Sequence, residues 1–394
     1  MPPPTAQATP ESASPRTRRI VGCMTGTSLD GIDCSLVEIE GRGLEMKPRF
    51  VRGSSGSLGD LAPRLRALAE QKPMTAGEIA ALSRDFALLH AREVNSLLGT
   101  EREGCNLIVV HGQTVFHAPP LSWQMFNPAV LAHETGIDVV CDLRAADLAA
   151  GGQGAPITPL ADWVWLRSPT ERRVILNLGG FANATLLPRD TGPESIADIR
   201  GMDICACNHV VDAAARAGLG KPFDEDGAAA GAGRVEEAAR EELMASLLRQ
   251  SSGERSLGTG DEAVGAGGWV ERWRGRVSGE DLCATASAGL GGVIGEQLAE
   301  HAASPSGAIS RVLVAGGGAA NVTCVGWIRE SLARKSPSIR LESTDVHGLP
   351  AAYREAAEMA VLGALCADGV PITLPRVTGV AGPAPVAGMW AFAG

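Results

Sequence analysis

The sequence is short of basic charge and of aromatic side chains, and it has no long apolar run. It contains 35 lysines and arginines against 45 aspartates and glutamates, and the net charge of −10 argues against a broad nucleic-acid-binding surface. No run approaches the roughly 18 apolar residues that a membrane span needs. We therefore expect neither a nucleic acid nor a membrane as a partner.

Paired cysteines are missing as well. The nine cysteines are scattered and none has a Cys-x-x-Cys spacing, so the pattern indicates neither a disulfide framework nor a zinc site. Most should be small buried side chains in a reducing compartment. Residues 1–19 are rich in proline, serine and threonine but lack the apolar core of a signal peptide. We expect a disordered tail there, on a cytoplasmic protein.

The stretch from Ile20 to Ile39 is typical of a β-hairpin, because two apolar runs flank a polar tip. Its glycines allow close backbone approach to a ligand, and its hydroxyls and amides suit phosphate, although a plain Gly/Ser/Asp turn is the alternative. No Gly-Lys-Ser/Thr of a Walker A loop follows. Asp30 is a candidate Mg²⁺ ligand, directly or through water. The predicted phosphate-binding residues are Gly26, Thr27, Ser28, Leu29, Asp30, Gly31, Ile32 and Asp33.

Two later strands also run into glycine turns. Val174–Leu178 leads to Gly179 and Gly180 and repeats the opening strand–turn–strand plan, which, with a length of 394 residues, predicts two similar domains. Arg311–Ala315 leads to Gly316–Gly318 and a helix. A strand, a glycine turn and a helix N-terminus form an anion-binding arrangement, with a simple tight turn as the alternative.

Polar residues follow two apolar strands of the first half. His111 follows Asn106–Val110, and Arg144 follows Asp138–Cys141. Open α/β sheets bind ligands at such strand ends, although a lone histidine there is more often a hydrogen-bonded structural group.

Asp203 precedes a helix predicted over Val210–Ala217, so it is either a functional carboxylate or an ordinary helix cap. Cys205 and Cys207 have no companions at ligand spacing, which makes a metal site a poor interpretation. Periodicity predicts a further helix over Glu355–Cys366, and the tail from Pro371 to Gly388 is predicted to be extended.

The ordered set of these motifs resembles the anhydro-N-acetylmuramic acid kinases, a family of the sugar kinase/Hsp70/actin superfamily. The matching stretches run in the family's order over about residues 20 to 390: Met24–Asp33, His111–Thr114, Asp142–Pro156, Asn177–Asn183, Asp224–Gly227, Gly316–Asn321 and Glu355–Leu362.

The resemblance implies an α/β fold of two duplicated ribonuclease-H-like (actin-like ATPase) domains, with ATP and Mg²⁺ in the cleft between them. Domain I would comprise residues 20–150 and about 365–394, and domain II residues 151–364. Water would open the 1,6-anhydro bridge of 1,6-anhydro-N-acetylmuramic acid while the released O6 takes the γ-phosphoryl group, giving N-acetylmuramic acid 6-phosphate and ADP in cell-wall sugar recycling. A homodimer is a possible assembly.

Residue by residue, the resemblance implies that Asp203 is the catalytic carboxylate and that Glu355 supports it. Besides the hairpin, it assigns ATP binding to Gly179, Gly180, Asn183, Gly316, Gly317, Gly318 and Asn321. It assigns sugar binding to His111, Gln113, Thr114, Gln124, Arg144, Asp147 and Asn208.

Two stretches depart from the family pattern. Residues 203–208 read Asp-Ile-Cys-Ala-Cys-Asn instead of Asp-Thr-Gly-Pro-Gly-Asn, and we expect the new residues to adopt positive φ less easily than glycine. Phe126 and Asn127 replace Gly-Asp, which should affect sugar binding more than ATP binding. Two alternatives therefore stay open: a levoglucosan-type anhydrosugar kinase on the same fold, and a non-catalytic sugar- or nucleotide-binding relative.

Overall fold

A computed structural model describes residues 17–26, 29, 31–251, 268–301, 308–382 and 385–394. The first of its two large sheets begins with the predicted hairpin. Its strands are β1 (Arg18–Met24), β2 (Ile32–Glu40), β3 (Lys47–Gly56), β4 (Leu107–Val110), β7 (Val139–Cys141) and β13 (Met389–Ala391), in the order β13-β7-β4-β1-β2-β3. β1, β2 and β3 are antiparallel neighbours, whereas β4 runs parallel to β1 and β7 parallel to β4.

The second sheet repeats this plan. Its strands are β8 (Arg172–Leu178), β9 (Phe181–Leu187), β10 (Arg200–Ala206), β11 (Ile309–Ala315) and β12 (Arg340–Ser343), in the order β10-β9-β8-β11-β12. Again three antiparallel strands are followed by two parallel ones. The predicted duplicated ribonuclease-H-like α/β fold is therefore confirmed. A separate hairpin of β5 (Gln113–Ala118) and β6 (Leu121–Met125), which the sequence patterns did not predict, lies beside the first sheet.

Helices cover both sheets. They are α1 (Leu61–Ala69), α2 (Ala76–Leu98), α3 (Pro128–Thr135), α4 (Ala145–Ala149), α5 (Pro159–Leu166), α6 (Asn208–Leu219), α7 (Ala228–Ala232), α8 (Glu237–Ser251), α9 (Gly279–Glu300), α10 (Val322–Lys335), α11 (Arg354–Ala367) and α12 (Pro375–Thr378). Helices α2 and α3 pack on the outer face of the first sheet, and α6, α8 and α9 on the outer face of the second.

The space between the two sheets is filled by α5 and α11, which share one buried apolar cluster with both sheets. Helix α11 lies very close to β1 because Gly22 has no side chain: a Cβ there would overlap the carbonyl oxygen of Ala356 and lie 2.6 Å from the amide nitrogen of Ala360. The position of α11 is thus set by direct backbone contact with the central strand.

One prediction about local structure is wrong, and one alternative is excluded. The segment from Pro371 to Gly388 is not simply extended, because α12 forms within it and the chain then adds β13 to the edge of the first sheet. Asp203 is not a helix cap, because it lies inside β10 and Cys207 occupies the N-cap position of α6. No helix among the described residues is long and apolar enough to cross a membrane.

Candidate active site

Three polar residues form a row across the second sheet. The strand register pairs Asn177 of β8 with Asn183 of β9, and Asn183 with Asp203 of β10. Directly opposed residues project from the same face of a sheet, and neighbouring strands are about 4.8 Å apart. Asp203 therefore lies about 10 Å from Asn177, on the face that looks toward the first sheet.

Glu355 of α11 contacts the Asn177 end of this row. It lies in the first turn of α11, is half-buried, and accepts a 3.2 Å hydrogen bond from Asn177 Nδ2. Burial raises the pKa of Glu355, and the charge of Asp33 adds to this, whereas Arg354, the hydrogen bond from Asn177 and Arg144 lower it. The sequence analysis did not single out Asn177, although a polar residue in an otherwise apolar strand next to a glycine turn was a usable signal.

His111 and Arg144 form a pair contributed by the first sheet. Arg144 donates from Nε to His111 Nε2 at 3.0 Å, and from Nη1 to the carbonyl of Gly154 at 2.7 Å. Burial, followed by the charge of Arg144, lowers the pKa of His111 to about 3, so the ring is neutral at physiological pH. Burial lowers the pKa of Arg144 to about 10, which still leaves the guanidinium charged.

The structure describes Gly26, Leu29 and Gly31 at the hairpin tip. Leu29 donates its backbone N–H to the carbonyl of Gly26 at 3.3 Å and has a φ of +58°. Asp33 Oδ1 accepts a 2.6 Å hydrogen bond from Ser55, while Ile32 is buried in the core. The predicted contacts of Thr27, Ser28 and Asp30 lie outside the described residues.

The two glycine turns meet at the ends of β8 and β11. Asn208, the first residue of α6, donates its backbone N–H to the Gly179 carbonyl at 3.0 Å and its side-chain amide to the Leu178 carbonyl at 3.3 Å. Gly316 has a φ of +84°, and a Cβ on Gly318 would lie 2.7 Å from Asn208 Oδ1. Both positions require glycine, whereas Gly317 is exposed and has open space beside it.

Asn321 follows the second glycine turn, and the neighbouring residue Thr323 contacts the acidic stretch Asp224–Gly227. Asn321 Oδ1 accepts from Cys324 N–H at 2.9 Å and caps α10, and Thr323 donates to the Gly227 carbonyl at 2.8 Å. Asp224 accepts two backbone hydrogen bonds at the start of α7. A cleft of about 270 Å³ opens beside them, between α7 and α10, with Trp327 in its lining.

The remaining predicted sugar-binding residues occupy different environments. Asp147 is fully buried and accepts 2.6 Å hydrogen bonds from Gly154 N–H and the Thr378 hydroxyl, an arrangement that favours a structural role. Gln113 is buried at the start of β5 and donates to the Thr114 carbonyl at 3.3 Å. Thr114 Oγ1 in turn accepts from Gln124 at 3.4 Å, which ties β5 to β6.

The residues that depart from the family pattern are accommodated by the fold. Ile204 to Cys207 are fully buried in the core of the second sheet, and none of them has a positive φ. Burial is the leading cause of the raised thiol pKa of both Cys205 and Cys207. Phe126 packs edge-on against Phe86 and His90, away from the cleft, and Asn127 caps α3.

The duplicated fold, with carboxylates and glycine turns at the strand ends, is of the actin-like ATPase class. The particular family follows from the sequence match: the model of the anhydro-N-acetylmuramic acid kinase family covers residues 18–390, and the chain belongs to this family.

Individual relatives are similar over almost their whole length. The anhydro-N-acetylmuramic acid kinase of Chromohalobacter salexigens is 36% identical, with 94% of this chain and 99% of the relative covered. The anhydro-N-acetylmuramic acid kinase of Salinibacter ruber is 34% identical, with 94% of this chain and 95% of the relative covered. Among solved structures, a ROK family glucokinase from Streptomyces griseus in complex with glucose and AMPPNP aligns with 87% of this chain and 98% of its own, at 14% identity and a TM-score of 0.35.

Proposed function

We propose that the protein opens the 1,6-anhydro ring of 1,6-anhydro-N-acetylmuramic acid with water and phosphorylates the released O6. The observation that carries this is the row of Asn177, Asn183 and Asp203, in which Asn177 hydrogen-bonds to Glu355 and Asp203 stands at the other end. An acetal carbon needs an activated water, and a carboxylate is the usual base. Asp203 takes a proton from the water as the water oxygen bonds to C1 and the C1–O6 bond breaks. O6 then bonds to the γ-phosphorus, and the bond from that phosphorus to the β–γ bridging oxygen breaks as ADP leaves.

ATP is the proposed phosphoryl donor. Its phosphates lie between the hairpin tip and the turns at Gly179–Gly180 and Gly316–Gly318, because glycine turns at strand ends allow an anion to approach the backbone closely. The cleft between α7 and α10 is of a size and place to receive the adenosine.

Mg²⁺ is the proposed metal, with Asp30 as its predicted ligand. Among the described residues no group of three His, Cys, Asp or Glu is spaced to hold a metal. A magnesium ion here would therefore depend on the nucleotide phosphates and water for most of its ligands, which is its usual habit in kinases. When bound, it neutralises charge on the transferred phosphoryl group.

Replacing Gly317 with leucine tests the nucleotide site. The position is exposed and open, so the fold should tolerate the side chain, but a leucine would block close approach of a phosphate or ribose. We expect ATP affinity, measured by calorimetry, to fall at least about tenfold, which is 1.4 kcal/mol. Gly77→Leu, at an equally open position of α2, is the control. Unchanged affinity in Gly317→Leu would remove this turn from the site.

The proposed reaction is tested by ADP release with purified 1,6-anhydro-N-acetylmuramic acid and with levoglucosan, in water enriched in ¹⁸O. We expect turnover on the first sugar, with the label on C1 of the product and none in the phosphate. Preference for levoglucosan would favour the alternative kinase, and no ADP release with either sugar would favour a non-catalytic relative. The cytoplasmic location and the homodimer stay predictions.

A further inference from the structure

A cluster of buried charges lies behind the candidate active site. Asp162 of α5 and Arg354 and Glu358 of α11 are each at most 3% exposed. Arg354 grips Asp162 with hydrogen bonds of 3.0 Å from Nε and of 2.6 and 2.7 Å from one terminal nitrogen. Its Nε also lies 2.8 Å from Glu358 Oε1.

The cluster joins three elements from different parts of the chain. Asp162 accepts a further 2.8 Å hydrogen bond from Thr185 of β9, the strand that also carries Asn183. The contacts therefore connect α5, α11 and the second sheet at the centre of the molecule. A buried charge network is costly to desolvate and often adds less stability than apolar packing would. Stability alone is thus a weak explanation for it.

The N-terminus of helix α11 has no side-chain cap, so its first turn is not fixed by a capping hydrogen bond. Arg354 is the first residue of this helix and is followed immediately by Glu355. An uncapped first turn is the part of a helix that frays most easily. The hydrogen bonds from Arg354 to Asp162 hold that turn against α5. Asn177 of β8 donates a hydrogen bond to Glu355 in the same turn.

We propose that Arg354, held by Asp162 and Glu358, is a positioning residue that fixes the first turn of α11 and thereby the carboxylate of Glu355. The inference rests on the site role proposed above for Glu355. Sequence reasoning missed these residues, although charged side chains at 354 and 358, four apart in an alanine-rich helix, were a signal.

Arg354 also acts on Glu355 electrostatically. The charged groups that influence Glu355 are Asp33 from β2, Arg144 at the start of α4, and Arg354 from α11 itself. The two arginines favour the ionised carboxylate, and Asp33 opposes it. Burial raises the pKa of Glu358 well above its usual range. Removing Arg354 should therefore raise the pKa of Glu355.

The test replaces the whole cluster with apolar side chains, because removing one partner leaves a buried charge unpaired and endangers folding. The variant carries Asp162→Leu, Thr185→Val, Arg354→Met and Glu358→Met. We expect it to fold cooperatively but to lose at least about tenfold in kcat, with the KM for ATP within about twofold of wild type. The control is Arg376→Met/Asp198→Asn, which breaks an exposed arginine–aspartate pair.

A second readout is independent of turnover. In protein carrying ¹³C-labelled glutamate carboxyls, the resonance missing from Glu355→Gln reports the titration of Glu355. We expect its pKa to rise by at least about half a unit in the apolar variant and to stay unchanged in the control. If the apolar variant does not fold, Asp162→Asn, which keeps the shape but weakens the grip, is measured in the same two ways.

The outcomes separate this inference from the proposed reaction. A folded variant with wild-type kcat and an unchanged Glu355 titration overturns the positioning role, whatever the substrate is. A wild-type protein that does not turn over the anhydrosugar overturns the proposed function, while the ¹³C titration still decides whether Arg354 controls Glu355.

Discussion

Asp203→Asn is expected to reduce kcat by at least about a hundredfold while leaving ATP binding intact. Asparagine has the size of aspartate but cannot accept the proton of the attacking water. General base catalysis is typically worth on the order of 10²–10⁴ in rate. Steady-state ADP release on the best anhydrosugar, with calorimetry for ATP, measures both quantities. Because Asp203 lies inside β10 and does not cap α6, loss of a helix cap cannot account for a reduced rate.

Asp198→Asn is the matched control for this prediction. Asp198 lies just before β10 and forms an exposed ion pair with Arg376, so the same chemical change there should leave kcat near wild type. If Asp203→Asn turned over within a few-fold of wild type, Asp203 would not be the base, and Glu355 would become the next candidate.

Gly22→Ala is expected to destabilise the protein by about 3 kcal/mol, the upper end of what overpacking usually costs. The new Cβ would overlap the Ala356 carbonyl, so β1 and α11 would have to separate in the layer between the two sheets. Backbone atoms cannot move aside as a flexible side chain can. Urea denaturation followed by circular dichroism measures the change as a shift in midpoint.

The same substitution at Gly77 is the control. Gly77 lies in α2 with open space around it, and alanine is the better helix former there by up to about 1 kcal/mol. The two variants should therefore shift the midpoint in opposite directions. Equal stability of Gly22→Ala and wild type would mean that α11 does not contact β1 through its backbone.

Much of the fold could be predicted from local patterns. The hairpin of β1 and β2, the helix over Glu355–Cys366 and the strands before the glycine turns were all expected, since apolar runs and periodicity are local properties. The β5–β6 hairpin and β10 were missed. Cys205 and Ala206 are small side chains that give no strand pattern in the sequence. Their strand conformation depends on pairing with β9.

The candidate site was predicted as a set of residues but not as an arrangement. Glu355 and Asp203 were named because the motifs resemble a family, whereas Asn177, the hydrogen-bond donor to Glu355, was not named as a site residue. Asp147 was grouped with the sugar-binding residues because of the family resemblance, and only the structure shows both of its carboxylate oxygens accepting internal hydrogen bonds. Sequence position gives the neighbourhood of a side chain but not the direction of its hydrogen bonds.

The sequence by itself determined where strands end in glycine turns, because glycine is needed wherever φ is positive or a backbone comes close, as at Gly316. Only the tertiary structure decided which distant residues meet. Asn177 and Glu355 are 178 positions apart, and Asp162 and Arg354 are 192 apart. Those contacts exist because α11 is inserted between the two sheets, and its depth there depends on packing against β1, which no local pattern records.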